Sequence, residues 1–423
     1  MDADLAPTDA DPAPTDADPE PEPEPEPEPV DGDPEPVEAV PEAGAESDGP
    51  DQPPPPVDTK LPGRDPIWAR LLVVFGSIVV LLASGVVVTS RVLAHRYETS
   101  VTKASLLAPA ARVSAPAQER RSTIVGPLNF LLIGSDQRPD DDPAERSDTV
   151  IVVHVPASLD RAYLLSIPRD LRVAIPPFPE TGFRGWTEKI NGAFQHGGGG
   201  AGGVRLLSET LTNLLGIRFD GAAIIDFGGF QKVVQLLGGV HMCIDVRTES
   251  HHIGHDKNGD FLAPWYGPEG QYRNRDSTPV VYEPGCQHLA AWQALDFVRQ
   301  RKSLPDGDYG RQRHQQQFLR ALFERAQAKD LTSNPLELDR FIRAVGESLT
   351  VDLNGIPLDE LMFGLRNVKP SNLLGLQLPS APEDHGGVSY IIASQEAEQL
   401  YTALREDTLE AWAAANPNWV NRI

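Results

Sequence analysis

Hydrophobic positions fall into three patterns along the chain. Residues 71–89 read LLVVFGSIVVLLASGVVVT, an apolar run without a charged side chain, bracketed by Arg70 and Arg91. At 1.5 Å per residue such a helix is about 28 Å long, the thickness of a hydrocarbon core, so it is predicted to span a membrane. It lies far from the first residue and is longer than a signal-peptide core, and therefore reads as an uncleaved signal anchor. The second pattern is the short continuous apolar run: 128–133 (LNFLLI), 149–155 (TVIVVHV), 162–167 (AYLLSI), 222–227 (AAIIDF) and 240–246 (VHMCIDV). Such runs fit strands covered on both faces. The third is helical: 229–237 is closed by Gly238-Gly239, Leu289, Trp292, Leu295 and Val298 recur every three residues in 287–299, and Phe318, Leu322 and Ala326 recur every four in 311–328. Strands interleaved with helices predict α/β layers. The polar stretch 246–281, rich in His, Gly, Asp and Arg, reads as an insertion loop.

Composition changes this picture mainly at the N-terminus. The chain has 423 residues and a formal net charge of −24, yet residues 1–66 alone hold 21 of the 61 acidic side chains, 2 of the 37 basic ones and 19 of the 40 prolines. With Pro-Glu alternation and almost no large apolar residue, this segment cannot offset its chain entropy and reads as a disordered acidic spacer. The rest is close to neutral and has no basic excess for a phosphate backbone, which argues against nucleic-acid binding. Two cysteines exclude a small disulfide framework and a four-cysteine zinc module. Lys60, Arg64 and Arg70 nearly balance Arg91, Arg96 and Lys103 across the apolar helix. The N-terminus is placed in the cytoplasm because everything downstream reads as an extracytoplasmic domain. The expected layout is a tail (1–66), a transmembrane anchor (67–90), a stalk (91–123), a single large domain (124–405) and a C-terminal extension (406–423).

The chemistry concentrates at predicted element ends. Asp136, in GSDQR, follows one strand, and Asp148, in RSDT, precedes the next, so a hairpin-like connection returns both carboxylates to one end of the sheet. Such a pair suits Mg²⁺, which takes one or two carboxylates and completes its shell with phosphate and water. Alternatively both are turn residues paired with Arg138 and Arg146, and spacing alone does not choose. Arg169 follows a strand in SIPRD, Arg299 and Arg301 leave a helix as RQR, and Arg311 opens the next helix with Gln315 one turn on. Planar guanidinium forks converging from three segments suit phosphate oxygens, whereas composition alone would favour a salt-bridged surface. The glycine-rich run 196–203 lacks the GK[ST] ending of a nucleotide loop. His251, His252 and His255 form only a weak transition-metal pattern. No serine-nucleophile elbow occurs. Cys243 and Cys286 are either buried thiols or, in an oxidising exterior, a disulfide, and the exported reading favours the disulfide.

Seven ordered blocks resemble one family. NFLLIGSDQR, RSDTVIVVHV, LLSIPRDLRV, EKINGAFQHGG, DFGGFQKVVQLLGGVHMCID, PGCQHLAAWQALDFVRQRK and DYGRQRHQQQFLRAL are similar, in order and spacing, to the signature blocks of LytR-CpsA-Psr proteins. The likeness runs from about residue 128 to 322, with a last strand and helix at 388–403 completing the domain, and an anchor followed by a stalk is that family's layout. The resemblance implies a central mixed β-sheet flanked by helices in α/β/α layers, with a hydrophobic pocket for a polyprenyl chain. It implies a phosphotransferase outside the membrane, moving a glycan with one phosphate from a polyprenyl-pyrophosphate carrier to peptidoglycan. Carried over by position, Asp136 and Asp148 hold Mg²⁺ (or Mn²⁺), while Arg146, Arg169, Arg299, Arg301 and Arg311 line the pyrophosphate. Asp308 and Gln315 border it, Arg138 contacts substrate, and Lys189 and Asn191 line the site. One departure stands out: where many relatives have Arg three residues after the Arg311 position, this chain has His314, and a neutral imidazole does not replace a permanent fork. Asp148 or Asp308 is the expected proton acceptor. A silent lipid-binding wall scaffold and a pyrophosphate hydrolase are the competing readings.

Overall fold

The computed structural model describes residues 102–114, 124–136, 147–264, 274, 276–331, 349–421 and 423, with isolated positions between 337 and 345. The acidic tail, the apolar run 71–89, Arg138 and Arg146 lie outside the described residues. Among the described residues no helix is long and apolar enough to cross a membrane.

In chain order the strands are β1 (Thr102–Lys103), β2 (Leu128–Ser135), β3 (Ser147–Val155), β4 (Ala162–Ser166), β5 (Arg172–Ile175), β6 (Trp186–Lys189), β7 (Gly221–Ile225) and β8 (Val240–Ile244). They continue as β9 (Thr248–His255), β10 (Thr278–Tyr282), β11 (Gly285–Leu289), β12 (Leu349–Asp352), β13 (Leu373–Gln377), β14 (Ser380–His385), β15 (Val388–Ala393) and β16 (Val420–Asn421). The helices are α1 (Asn191–His196), α2 (Gly200–Leu215), α3 (Phe227–Leu237), α4 (Ala291–Arg299), α5 (Asp308–Ala328), α6 (Leu358–Gly364), α7 (Gln395–Arg405) and α8 (Leu409–Ala415).

Eight strands form one sheet in the order β1-β12-β7-β2-β3-β4-β13-β16. It is mixed: β2 runs parallel to β7 and antiparallel to β3, and β4 is parallel to β13. Side chains alternate between its faces. Leu131 and Ile133 of β2, Val150 and Val152 of β3, Tyr163 and Leu165 of β4 and Ala222 of β7 enter a large core that also contains Phe194 of α1, Leu211 of α2, Leu400 of α7 and Trp412 of α8. Their neighbours on the opposite face turn toward α3, α4 and α5, which with β8 and β11 carry a second core around Phe297 and Val240. The expected α/β layering is therefore present.

Several boundaries differ from the sequence reading. Part of the expected stalk is core: Leu106 and Leu107 are fully buried, and their backbone N–H groups donate to Asp352 Oδ2. The C-terminal extension likewise supplies Leu409, Trp412 and Ala413 to the core, and β16 pairs with β13. Residues 287–289, expected to open a helix, belong to β11. There the preceding Gly285 at φ 129° and antiparallel pairing with β8 override the threefold periodicity. The insertion is a hairpin in part, since β9 and β10 pair antiparallel. Asp226 caps α3 by accepting from Gly229 N–H at 2.7 Å, which starts that helix two residues earlier than its apolar pattern. The glycine-rich run is the close turn from α1 to α2. A Cβ on Gly203 would stand 2.5 Å from the Phe194 carbonyl oxygen. Cys243 and Cys286 face each other across β8 and β11 and are joined as a disulfide.

Candidate active site

The face of the sheet turned toward α3, α4 and α5 does not close into solid packing. A cavity of about 800 Å³ lies there. Leu132, Ile151, Ala223 and Ile225 form its floor, and Phe230 and Val233 of α3 with Phe318, Leu322 and Phe323 of α5 form its walls. Along α5 the lining passes from Arg311 and Gln315 to Leu319 and then Ala326, about 22 Å of helix running from charged to apolar. One end is thus built for an anion and the rest for hydrocarbon.

The charged end forms where four segments meet. At the β2–β3 end, Gly134 pairs with Thr149 but Ser135 pairs with Ser147, so Asp148 occupies a bulge. Its backbone carbonyl is thereby left for Arg311, whose Nη2 donates to it at 3.1 Å. The Asp148 side chain faces the cavity and pairs with Arg169 Nη1 at 2.5 Å. Arg169 stands just past β4, where Pro168 ends the ladder by removing an N–H. Arg299 leaves the end of α4 with its guanidinium 4.3 Å from the Phe227 ring centre, and Arg301 lines the same mouth. Arg311 is only 6% exposed and pairs with Asp308 at 2.8 Å in the first turn of α5, whose N-terminal dipole adds positive potential. Gln315 Nε2 donates to Thr149 Oγ1 at 2.8 Å, fixing its side chain against the bulge.

The electrostatics are those of a site short of negative charge. Burial pushes Arg311 below the ordinary guanidinium value and Arg169 and Arg301 add to this, against Asp308 and Asp148. For Arg169 burial acts the same way but is outweighed by Asp148, Asp170 and Asp308, and its pKa is raised. The buried Nε atoms of both arginines have no hydrogen-bond partner among the described residues. Buried donors without acceptors are costly, about 1–3 kcal/mol each, and phosphate oxygens would satisfy them.

The structure thus brings Asp148, Arg169, Arg299, Arg301, Arg311 and Gln315 together around one cavity end. Asp308 does not line the cavity and is turned into Arg311. Lys189 and Asn191 stand behind Arg169: Lys189 pairs with Asp170 at 2.9 Å, Asp170 lies 3.6 Å from Arg169, and Asn191 N–H donates to the Arg169 carbonyl. Burial raises the Asp170 pKa, but the Lys189 hydrogen bond and the Arg169, Lys189 and Arg301 charges hold it below the usual carboxylate range. His314 is fully buried outside the cavity lining, stacked 4.2 Å from Phe297 and 3.2 Å from Asp245. It takes no arginine's place at the mouth. Asp136 follows β2, one residue beyond Ser135, is partly buried and is not part of the cavity lining. Among the described residues no group of three or more His, Cys, Asp or Glu is able to hold a metal, the histidine cluster included. An ion near Asp136 and Asp148 would therefore draw its other ligands from substrate and water, which is how Mg²⁺ is ordinarily held. Gln300 and Lys302 line the cavity and were passed over in the sequence, and His251 and His252, weighed there only as metal ligands, line it as well. The signal for Gln300 was Asp296, an acid inside an otherwise apolar helical stripe four residues earlier.

The open face of this mixed sheet thus holds an apolar hollow with a guanidinium mouth. The LytR_cpsA_psr family model matches residues 92–406, and the chain belongs to that family. It is 30% identical over 271 residues, 64% of this chain and 75% of the relative, to the polyisoprenyl-teichoic acid–peptidoglycan teichoic acid transferase TagU of Halalkalibacterium halodurans. It is also 32% identical to a probable cell wall biosynthesis protein, LcpB, of Corynebacterium glutamicum, over 53% of this chain and 48% of that one. Protein gbs0355 of Streptococcus agalactiae shares the fold with a TM-score of 0.52 at 21% identity, over 70% of this chain and 91% of its own. With its named relatives, the chain is a transferase of the phosphotransferase type.

Proposed function

We propose that the chain transfers a glycopolymer, together with one phosphate, from a polyprenyl-pyrophosphate carrier to peptidoglycan and releases polyprenyl phosphate. The observation that carries this reading is the continuity of the guanidinium mouth with the apolar hollow along α5. Arg169, Arg299, Arg301 and Arg311 bind and orient the pyrophosphate, and the apolar walls take the polyprenyl chain. Asp136 and Asp148 hold the divalent ion, Mg²⁺ or Mn²⁺, which supplies neutralising charge to the phosphate oxygens. Pyrophosphate transfer needs positioning and charge neutralisation more than covalent protein chemistry, and these groups supply both. A peptidoglycan hydroxyl oxygen attacks the phosphorus next to the glycan and forms a new P–O bond. The bond from that phosphorus to the bridging oxygen breaks, and polyprenyl phosphate leaves with the electron pair. Asp148 takes the hydroxyl proton, because it lines the cavity whereas Asp308 does not. The disulfide favours an oxidising exterior, consistent with a domain displayed outside the cell by an anchor at 67–90 and with a cytoplasmic tail.

The test is turnover of a lipid-pyrophosphate glycan with and without peptidoglycan. Glycan should become wall-linked when acceptor is present, and Arg301→Ala should lower the rate by about two orders of magnitude or more while lipid is still bound. Release of free glycan regardless of acceptor would identify a hydrolase. Unchanged lipid binding with no turnover in the wild type would identify a scaffold.

A further inference from the structure

The insertion hairpin presents His251 and His252, on β9, to the cavity mouth beside Lys302. The strand is held by a buried network centred on Gln300, the residue between Arg299 and Arg301. Gln300 is fully buried. Its Oε1 accepts from the His251 backbone N–H at 2.9 Å, which fixes the amide, since the flipped orientation would set one N–H against another. Nε2 is then aimed at the Asp296 carbonyl (2.9 Å), Asp296 Oδ1 (2.8 Å) and His252 Nδ1 (3.0 Å).

An amide nitrogen only donates, and its two protons are shared among these acceptors and Ser250 Oγ at 3.3 Å. Where one of them reaches His252 Nδ1, that nitrogen is the acceptor and the ring carries its proton on Nε2. Asp296 Oδ1 is 3.5 Å from Nδ1, too far to draw a proton there. That carboxylate is committed elsewhere, accepting from Ser250 Oγ at 2.9 Å and Tyr282 OH at 2.7 Å. Ser250 Oγ in turn accepts the His252 and Ile253 backbone N–H groups, so the strand position is fixed as well as the tautomer. The His252 side chain is 39% exposed, and its Nε2 has no partner among the described residues.

We propose that His252, locked by Gln300 as the neutral Nε2–H form, donates a hydrogen bond to the sugar that adjoins the pyrophosphate, making β9 the wall that distinguishes glycosylated from bare lipid carriers. This rests on the transferase reading above. Permanent forks already serve the phosphates, whereas a neutral donor on the rim matches neutral acceptors such as sugar hydroxyl and amide carbonyl oxygens. Gln300, Asp296, Ser250 and Tyr282 are positioning residues that act through it.

The test titrates the purified full-length chain calorimetrically with geranylgeranyl pyrophosphate and with the same lipid carrying N-acetylglucosamine on its terminal phosphate. The wild type should prefer the sugar-bearing probe by about tenfold, the worth of one or two neutral hydrogen bonds. His252→Ala should abolish the preference and leave affinity for the bare probe within about twofold. Gln300→Ala should also abolish it, and in ¹⁵N-histidine spectra should replace the single Nε2–H tautomer of His252 by a mixture. A preference that survives His252→Ala, equal weakening of both probes, or an Nδ1–H tautomer in the wild type would overturn the proposal alone. A wild type that binds neither probe would overturn the transferase reading and this inference with it.

Discussion

The two faces of the central sheet carry similarly apolar side chains and meet different fates. On one, Leu131, Val152, Leu165 and Ala222 are 0–3% exposed beneath α1, α2, α7 and α8. On the other, their immediate neighbours Leu132, Ile151 and Ala223 face a hollow of about 800 Å³. Protein interiors are close-packed, and side chains beside a void lose the dispersion contacts they would otherwise make. An apolar face left open on this scale therefore contributes less to folding than its composition suggests. At its rim the lining changes from hydrocarbon to guanidinium.

The sharpest way to break this comparison is to truncate one leucine on each face. Leu165→Ala, on the packed side, should lower the unfolding free energy by about 2–5 kcal/mol, through lost transfer energy and a new cavity. Leu132→Ala, on the open side, should cost about 1 kcal/mol or less, because it enlarges a hollow already present. Chemical denaturation of the two variants decides it, and equal losses would mean the faces do not differ energetically. A smaller effect comes from adding volume at adjacent positions of β7. Ala222→Phe should destabilise by about 1–3 kcal/mol, having nowhere to put the ring. Ala223→Phe should leave stability within about 0.5 kcal/mol and weaken geranylgeranyl pyrophosphate about tenfold by occupying its space.

Much of this architecture was legible in the sequence, and the exceptions have physical causes. The runs at 128–133 and 149–155 correctly announced strands, but hydropathy does not distinguish a face packed by protein from one that borders a hollow. Asp148, Arg169, Arg299, Arg301, Arg311 and Gln315 were legible because each sits at an element end in a distinctive block, and the fold gathers those ends. The pairing of Cys243 with Cys286 was also legible. Residues 287–289 misled because a threefold apolar repeat followed directly by a helix looks continuous with it. Leu106 and Leu107 were missed because they lie in irregular backbone after β1, where apolar positions show no period. Gln300 was missed, and His252 was weighed only as a metal ligand, because their place lies in a tertiary hydrogen-bond network joining segments almost fifty residues apart.

The comparison extends to how each side is held in acid. The packed face rests mainly on apolar contacts, with His154 and Asp407 paired at its edge, whereas the N-terminal end of α5, which carries Arg311 to the mouth, is tied to the end of β8 through charge. Arg313 Nε pairs with Asp245 at 2.7 Å, Arg313 also pairs with Asp306, and His314 Nε2 lies 3.2 Å from the same Asp245 carboxylate. Burial raises the Asp245 pKa, but the His314 hydrogen bond and the Arg313 charge outweigh it and hold the carboxyl well below its ordinary 3.8. A carboxyl whose folded pKa lies below its unfolded one binds fewer protons when folded. Its stabilisation is therefore complete above about pH 4 and is lost as pH falls toward the folded value. Amide exchange followed from pH 5 downward should accordingly show the first turns of α5 losing protection before α2, whose charge pair, Arg205 with Glu180, lies at the surface and whose inner face is apolar. Asp245→Asn should flatten that pH dependence and leave α2 unaffected. Simultaneous loss in α5 and α2 in the wild type, or an unchanged acid limb in the variant, would show that the open side is held in the same way as the packed one.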